Sequence, residues 1–296
     1  MISDRAIDRL REAAAWPELD ARYSITGVAG HGGMGTVYVA RDQVLDRDVA
    51  VKVLDLADQM GVRAARLQKE ARILARLDHP GIVPIHDAGM LPDGRTFYVM
   101  KLIKGRRLDA IVAADPSLPD RLNTFARILD AVAFAHAQGV VHRDLKPENV
   151  MVGSFGEVYV MDWGVAQDRH ADGEPAVVGT PGFMPPEQEH PRDRVDARAD
   201  IFALGALLAY VAGPAAAPAL KAIAEKARRP DADGRYRDVA ALSADLARFR
   251  NQDPVEAYRE SVAERMVRLY RRYELPILLL LAYVVMRLVL LVWRGI

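Results

Sequence analysis

The stretch AGHGGMGTVYVARD, from Ala29 to Asp42, places four glycines within six residues and then continues into β-branched and aromatic residues. Glycines at 30, 32 and 35 fit the pattern G-x-G-x-x-G, which in a dinucleotide-binding fold stands between a strand and a helix. Here Thr36-Val37-Tyr38-Val39 follows the last glycine and predicts a strand instead. A Walker loop would need Gly-Lys-Ser/Thr, which this stretch lacks. By itself the stretch predicts either a glycine flap between two strands or an ordinary hairpin.

The overall composition is that of a globular chain without disulfides. Its 296 residues suffice for one large domain or two modest ones, and 51% apolar with 27% charged residues argues against wholesale disorder. Lys+Arg and Asp+Glu both number 40, so no overall charge favours nucleic acid as a partner. The absence of cysteine excludes disulfides, thiolate nucleophiles and Cys-ligated zinc.

The patterning divides the chain into segments. Residues 1–22 are charged, lack the apolar core of a signal peptide and predict a helical lead. Residues 23–101 are rich in strand signals, with a helix predicted over 63–77, and residues 102–250 are mostly helical. One predicted helix buries a face formed by Leu122, Phe125, Ile128, Leu129, Val132 and Ala135. We therefore expect a small β-rich lobe, a larger helical lobe and a ligand-binding hinge near 101–105.

The C-terminal segment is strongly apolar. A charged linker over 251–274 leads into LPILLLLAYVVMRLVLLVW at 275–293, whose one charge is Arg287. As a helix this stretch would reach about 28 Å, close to the hydrocarbon thickness of a bilayer, so it predicts a transmembrane helix. The alternative is a buried core helix or a hydrophobic seam between subunits. An excess of basic residues before the segment would keep the preceding domain cytoplasmic: Arg259, Arg265, Arg268, Arg271 and Arg272.

Polar residues suited to phosphate chemistry recur along the chain. Lys52 ends the apolar strand VAVK, and Glu70 follows on the predicted helix, where it could pair with the lysine. The stretch HRDLKPEN at 142–149 combines a carboxylate, a lysine and an amide, and Asp162 ends a strand in VMDWG. Taken singly, these are equally well explained as a solvent-facing edge lysine, a solvated loop and a turn residue.

Taken in order, these motifs resemble the protein kinase family, specifically the bacterial serine/threonine kinases of eukaryotic (Hanks) type, over 23–249. The ordered set is far more specific than any one motif. The resemblance implies an α+β, bilobal protein-kinase-like fold with a β-rich N-lobe and a helical C-lobe, to which the C-terminal transmembrane helix is added. The matching stretches are GHGGMGTV at 30–37, VAVK ending at 52, Glu70, LDHPGIV at 77–83, HRDLKPEN at 142–149, DWG at 162–164, GTPGFMPPEQ at 179–188 and DARADIFALG at 196–205.

The same resemblance implies nucleotide-binding roles. The glycine flap would cover ATP, and Lys52, oriented by Glu70, would bind the α- and β-phosphates. Met100 corresponds to the gatekeeper, and adenine would meet the backbone at 101–103. The implied nucleotide-binding residues are Gly30, His31, Gly32, Gly33, Met34, Gly35, Val37, Ala50, Lys52, Met100, Lys101 and Ile103.

The catalytic and metal-binding roles are likewise implied by the resemblance. Asp144 would accept the proton of the substrate hydroxyl, Lys146 would neutralise charge on the γ-phosphate, and Thr180 would help to position the hydroxyl. Asn149 and Asp162 would hold Mg²⁺, with Mn²⁺ as the alternative ion.

The implied function is transfer of the ATP γ-phosphate to Ser/Thr hydroxyls of proteins by a membrane-anchored kinase. The expected partners are protein substrates, the lipid bilayer through 275–293 and a second copy for autophosphorylation, but not nucleic acid. The expected location is the plasma or inner membrane, crossed once, with the kinase domain cytoplasmic.

Some positions depart from the family pattern. Trp163 replaces the usual phenylalanine, Lys101 stands where glutamate is frequent, and AGPAAAPAL after Val211 leads almost directly into KAIAEKARR, where the family inserts another helix. The shortened region leaves open a membrane-tethered pseudokinase scaffold that binds nucleotide or partners without turnover. A third reading is phosphorylation of a small molecule. The motif GTPGFMPPEQ argues against it, because this motif indicates peptide substrates.

The segment from Asp162 to Glu187 contains no serine or tyrosine, and its only threonine is Thr180. Activation by phosphorylation of this segment is therefore not expected. An acid of the segment, Asp172 or Glu174, would then pair with Arg143, although both acids are equally well explained as solvated loop charges.

Overall fold

The computed structural model describes residues 16–32, 35–53, 77–163, 180–189 and 196–294. Within them, the larger sheet is antiparallel and has the strand order β1-β2-β3-β5-β4. A second, smaller sheet has the strand order β6-β7-β8. The strands are β1 (Tyr23–Gly32), β2 (Gly35–Asp42), β3 (Arg47–Val53), β4 (Ile85–Met90), β5 (Thr96–Lys101), β6 (Gly105–Arg107), β7 (Val150–Gly153) and β8 (Val158–Val160).

The helices follow the hinge and make up most of the second lobe. Short 3₁₀ turns at Pro147–Asn149 and Ala232–Gly234 stand between them. The helices are α1 (Leu108–Ala113), α2 (Leu118–Ala137), α3 (Pro186–Glu189), α4 (Ala197–Ala212), α5 (Pro218–Ala227), α6 (Val239–Arg250), α7 (Val262–Arg272) and α8 (Glu274–Arg294). The helix predicted over 63–77 lies mainly outside the described residues.

The alternation of side chains along β3 explains the two faces of the larger sheet. Val49, Val51 and Val53 point to an apolar cluster on the outer face, together with residues of β2 and β5. Ala50, between them, belongs to a second cluster on the inner face, and it pairs with Met100 across β3 and β5. Because side chains alternate with a period of two, the predicted phosphate-binding residue Lys52 shares the inner face with Ala50.

Residues 16–22 belong to the N-lobe. The described part of the expected helical lead contains no helix, and Trp16 and Leu19 pack against the outer apolar cluster of the sheet. The Arg22 guanidinium binds the fully buried carboxylate of Asp42 through Nε and an Nη, both at 3.0 Å. This pairing lowers the pKa of Asp42 to about 2.

The C-lobe core forms where the helical periodicity predicts it. All residues of the predicted α2 face (122, 125, 128, 129, 132 and 135) are buried, and they pack with α4, α5 and α6. The apolar run beginning at Ile201 is the buried helix α4, not a membrane segment. Gly205 on α4 is required by close packing, since a β-carbon there would lie 2.6 Å from the Cβ of Ala227 on α5.

The start of the predicted linker 251–274 is docked on the C-lobe. Val255 is buried in the core, and the buried carboxylate of Asp245 on α6 accepts hydrogen bonds from the backbone N–H groups of Glu256 (2.7 Å) and Ala257 (3.0 Å). Tyr236 Oη also donates to Asp245, at 2.8 Å. Residues 251–258 therefore extend the kinase-like lobe, because their backbone is bonded to a buried charge.

Two consecutive helices follow. α7 begins with a capping box in which Ser261 Oγ accepts from Glu264 N (3.2 Å) and Ser261 N donates to Glu264 Oε2 (2.8 Å). α8 contains the predicted helix 275–293, and Leu280 at its middle is 63% exposed. The transmembrane span predicted over 275–293 is not supported: among the residues that the structure describes, no helix is both long and apolar enough to cross a membrane.

We predict that Asp245→Asn lowers the free energy of unfolding by about 2–4 kcal/mol, because an amide NH₂ group would face the donors that the carboxylate now satisfies. Urea denaturation measures this change. Asp130→Asn on the exposed side of α2 is the matched control and should stay within about 0.5 kcal/mol of the wild type. Equal stability of the two variants would show that Asp245 does not anchor the segment.

Candidate active site

A cluster of apolar side chains lies next to the hinge that joins β5 and β6. Val37, Ala50, Met100 and Ile103, which are all predicted nucleotide-binding residues, pack in one cluster. This cluster also contains Leu102, which lies in the predicted adenine-contacting stretch 101–103. Its other members have no role assigned from the sequence: Val83, Ile85, Tyr98, Tyr159 and Met161. Apolar side chains at the hinge are of the kind that contact the flat ring of a nucleobase.

The side chain of the hinge residue Lys101 contacts Tyr159, which is a member of that cluster. Its Nζ lies 2.6 Å from the Tyr159 hydroxyl and 4.9 Å from the centre of the Tyr159 ring. Since Lys101 is on β5 and Tyr159 on β8, the contact joins the two sheets across the hinge. The backbone of Lys101, and not its side chain, is thus suited to contact a nucleotide.

The glycine-rich stretch connects two paired antiparallel strands, which fits both sequence readings, the glycine flap and the ordinary hairpin. β1 and β2 pair with Gly30 opposite Val37 and Gly32 opposite Gly35. His31 Nδ1 lies 3.1 Å from Thr36 Oγ1. A β-carbon built on Gly30 would meet open space, so packing within the protein does not account for this glycine. The predicted residues Gly33 and Met34 lie outside the described part of the chain.

Lys52 and Asp162 meet across the cleft. Lys52 is 9% exposed, and its Nζ donates to Asp162 Oδ1 at 2.6 Å. Desolvation opposes the charge of Asp162, but the Lys52 ammonium outweighs this effect and lowers the pKa of the carboxyl below its usual value. Asp162 is held in a left-handed backbone conformation with φ of +52°. The predicted lysine partner Glu70 is not among the described residues.

Three further predicted site residues lie on the loop between α2 and β7: Asp144, Lys146 and Asn149. Lys146 Nζ lies 2.8 Å from Asp144 Oδ2, and Asn149 Nδ2 donates to the same oxygen at 3.1 Å. Asn149 Nδ2 also donates to the backbone oxygen of Asp144 at 2.8 Å. Met161 N donates to the Asn149 backbone oxygen at 2.7 Å, which brings Asn149 beside Asp162.

This arrangement fits a hard divalent cation. Because the Asn149 amide nitrogen is committed to Asp144, its Oδ1 is left as the oxygen for a metal ion, and the Asp162 carboxylate is half-exposed. Within the described residues no group of at least three His, Asp or Glu side chains forms a metal site. A Mg²⁺ ion held by Asn149 and Asp162 would therefore complete its shell with phosphate oxygens and water.

The loop is anchored by a buried acid whose role the sequence analysis did not assign. Asp200 accepts from the backbone N–H groups of His142 and Arg143, both at 2.8 Å, and its Oδ2 lies 2.7 Å from His136 Nε2. The available signal was the motif DARADIFALG, in which Asp200 directly precedes the apolar run of α4. An acid placed there is buried on folding and needs donors.

The buried imidazole of His142 also holds the loop in place. Its Nε2 donates to the Met161 carbonyl oxygen at 2.8 Å, and its Nδ1 accepts from Asp144 N at 3.3 Å. Burial lowers the pKa of His142, in keeping with a neutral ring that has one donor and one acceptor nitrogen. The ring also contacts Trp163, with centroids 4.8 Å apart. The indole that replaces phenylalanine is fully buried and its Nε1 donates to the Val160 oxygen at 3.1 Å.

The predicted hydroxyl-positioning residue Thr180 lies in the described segment 180–189. Its backbone oxygen accepts from Phe183 N at 3.0 Å. Further along, Glu187 pairs with the buried guanidinium of Arg235 through two contacts of 2.6 and 2.8 Å. The segment is thereby fixed to the C-lobe. Asp172 and Glu174, the proposed partners of Arg143, are not among the described residues.

A bilobal fold with these residues at the cleft defines a protein kinase. Residues 23–229 match the family model "Protein kinase domain". The chain therefore belongs to the protein kinase family, and its domain is of the ATP-dependent serine/threonine type.

Curated relatives support the serine/threonine class. The chain is 41% identical over 207 residues to the DNA damage-responsive serine/threonine-protein kinase RqkA of Deinococcus radiodurans, covering 66% of this chain and 30% of that relative. It is 35% identical over 280 residues to the serine/threonine-protein kinase PknB of Mycobacterium tuberculosis, covering 81% of this chain and 44% of PknB. The chain thus spans less than half the length of these relatives. The crystal structure of the Mycobacterium tuberculosis PknI kinase domain shares the fold, with a TM-score of 0.61 at 23% identity over 79% of this chain and 98% of that domain.

We predict that Asp200→Asn lowers kcat by about tenfold or more, because an asparagine offers one oxygen where two loop N–H groups and His136 need acceptors. Asp196→Asn at the N-cap of the same helix is the control, since asparagine caps a helix as well as aspartate does. Steady-state phosphorylation assays on both variants measure the effect. Full activity in Asp200→Asn would contradict the anchoring role.

Proposed function

We propose that the chain transfers the γ-phosphate of ATP to serine and threonine hydroxyls of proteins. The observation that carries this proposal is the meeting of Lys52, Asp144, Lys146, Asn149 and Asp162 at one site, beside the apolar cluster at the hinge. These side chains come from β3, the loop after α2 and the end of β8. They supply a proton acceptor, two ammonium groups for phosphate oxygens and two oxygen ligands for a cation.

In the proposed reaction the substrate hydroxyl oxygen bonds to the γ-phosphorus while the bond to the bridging oxygen of ADP breaks. The hydroxyl proton passes to the Asp144 carboxylate, which Lys146 and Asn149 hold in place. Lys146 also offsets negative charge on the transferred phosphoryl group, and Lys52 holds the α- and β-phosphates. A bound Mg²⁺ would add positive charge at the phosphates.

A pseudokinase scaffold is the second candidate function. The observation in its favour is the short connection from α4, which ends at Ala212, to α5, which begins at Pro218. This connection leaves little surface for docking substrates. The phosphotransfer residues that the structure describes at the cleft favour turnover. A scaffold would bind ATP without transferring its phosphate, so a phosphorylation assay separates the two functions.

We predict that Asp144→Asn and Asp162→Asn each lower phosphotransfer by about 10²-fold or more, since each removes charge that acts in the transition state. Asp162→Asn should also weaken Mg²⁺-dependent ATP binding, whereas Asp144→Asn should leave it nearly unchanged. Assays use a generic Ser/Thr protein substrate, with Asp130→Asn as the control. Wild-type turnover in either cleft variant would overturn the kinase mechanism, and ATP binding without turnover in the wild type would favour the scaffold.

We also propose that α8 attaches the chain to a membrane and that the kinase domain faces the cytoplasm. Exposed apolar side chains on successive turns support the attachment, among them Leu280, Val284 and Leu288. The arginines that precede α8 in the sequence support the orientation. Two chains held on one membrane would meet more often than free chains, which is our reason to extend the proposal to phosphorylation of one copy by another.

We predict that the full chain stays with membranes in alkaline carbonate and that a double variant, Leu281→Asp with Val285→Asp, is released. Each aspartate near the centre of an apolar segment costs about 3 kcal/mol of insertion. Val44→Asp with Leu45→Asp, at an exposed turn of the N-lobe, is the control and should remain bound. Release of the wild-type chain by carbonate would contradict the attachment, and cleavage of the kinase domain by protease added to intact cells would contradict the orientation.

A further inference from the structure

The Gln188 side chain connects the segment containing Thr180 to the catalytic loop. Gln188 is 4% exposed, and its Nε2 donates to the Arg143 backbone oxygen at 3.0 Å. The sequence analysis quoted this glutamine at the end of GTPGFMPPEQ without giving it a role. A buried carboxamide at this position indicates a specific polar contact, since its burial costs free energy unless its groups are hydrogen-bonded.

The backbone that Gln188 holds is conformationally unfavourable. Arg143 has a φ of +69°, in the left-handed region that side chains with a β-carbon seldom adopt. Its N–H donates to Asp200 Oδ1 at 2.8 Å, and its carbonyl accepts from Gln188. Side chains from two different helices, α4 and α3, thus hold the two polar backbone groups of one residue. Because Arg143 directly precedes Asp144, the orientation of this peptide decides where the Asp144 carboxylate lies.

The other end of the connection is also fixed. Gln188 N donates to the Pro185 carbonyl at 3.0 Å, and the neighbouring Glu187 is paired with the buried Arg235. Thr180 begins the same described segment and is the residue expected to position the substrate hydroxyl. A rigid contact through Gln188 therefore relates the position of the incoming hydroxyl to the position of the carboxylate that takes its proton.

We propose that Gln188 is a positioning residue for phosphotransfer, which couples segment 180–189 to Asp144 through the Arg143 carbonyl. The inference rests on the proposed function, in which Asp144 accepts the substrate proton. The hydrogen bonds of Gln188 to described residues reach the catalytic loop and its own segment, so we expect its effect on the chemical step and not on ATP binding.

The test compares Gln188→Met and Gln188→Glu with the wild type in the full chain. Methionine keeps the length of the side chain without the donor, and glutamate places a carboxylate oxygen against the Arg143 carbonyl. Both variants should lower kcat about tenfold or more, while the KM for ATP changes by less than about twofold. Gln138→Met, at the exposed C-cap of α2, is the matched control and should leave both constants unchanged.

A second measurement is independent of turnover. Amide hydrogen exchange of residues 142–149 should be faster in Gln188→Met than in the wild type and unchanged in Gln138→Met, at equal Tm. Unchanged kcat or unchanged exchange in Gln188→Met would overturn the inference. A fall in kcat that comes with an equal rise in the KM for ATP and a lower Tm would also overturn it. If the wild-type chain transferred no phosphate, the proposed function would fail, while the exchange result would still decide whether Gln188 holds the loop.

Discussion

The Asp200 carboxylate joins the polar catalytic loop to the apolar core of the C-lobe. It lies at the start of α4, a helix buried along most of its length, and it accepts from the backbone N–H groups of His142 and Arg143. A buried carboxylate is costly unless donors surround it, so the loop and the helix satisfy each other. The positions of Asp144, Lys146 and Asn149 all follow from the loop conformation that this contact holds.

Two of the five non-glycine residues with positive φ in the described part of the chain lie at the same site. Arg143 and Asp162 both have positive φ, which costs roughly 1–3 kcal/mol at such residues and persists where the surroundings hold it. The holding groups are identifiable: Asp200 and Gln188 bind the backbone of Arg143, and Lys52 binds the carboxylate of Asp162. Because Lys52 comes from the N-lobe and Asp162 from the C-lobe, their ion pair also links the two lobes at the point where phosphates are expected.

The departures from the family pattern have local physical explanations. Trp163 fits where phenylalanine is usual because its N–H finds the Val160 carbonyl and its ring packs on His142. Lys101 contacts the hydroxyl and ring of Tyr159 across the hinge, so its charge lies between the two sheets. These substitutions alter packing around the site while leaving its phosphate-binding and metal-binding groups in place.

The sequence by itself determined the elements whose signals are local. The glycine pattern followed by a β-branched run predicted the strand β2, and the helical period predicted the buried face of α2. The ordered motifs, through the family they resemble, also identified the residues that the fold brings to the cleft. Such patterns are readable because periodicity and turn chemistry act between residues close in the chain.

Only the tertiary structure decided the contacts made across long separations. Asp200 binds a loop 57 residues earlier, and Gln188 binds a carbonyl 45 residues earlier. Residues 251–258 resemble a charged linker in composition, yet Asp245 fixes their backbone to the core. The physical reason is the same in each case: a buried polar group must find a hydrogen-bonding partner, and which partner it finds depends on how distant segments pack.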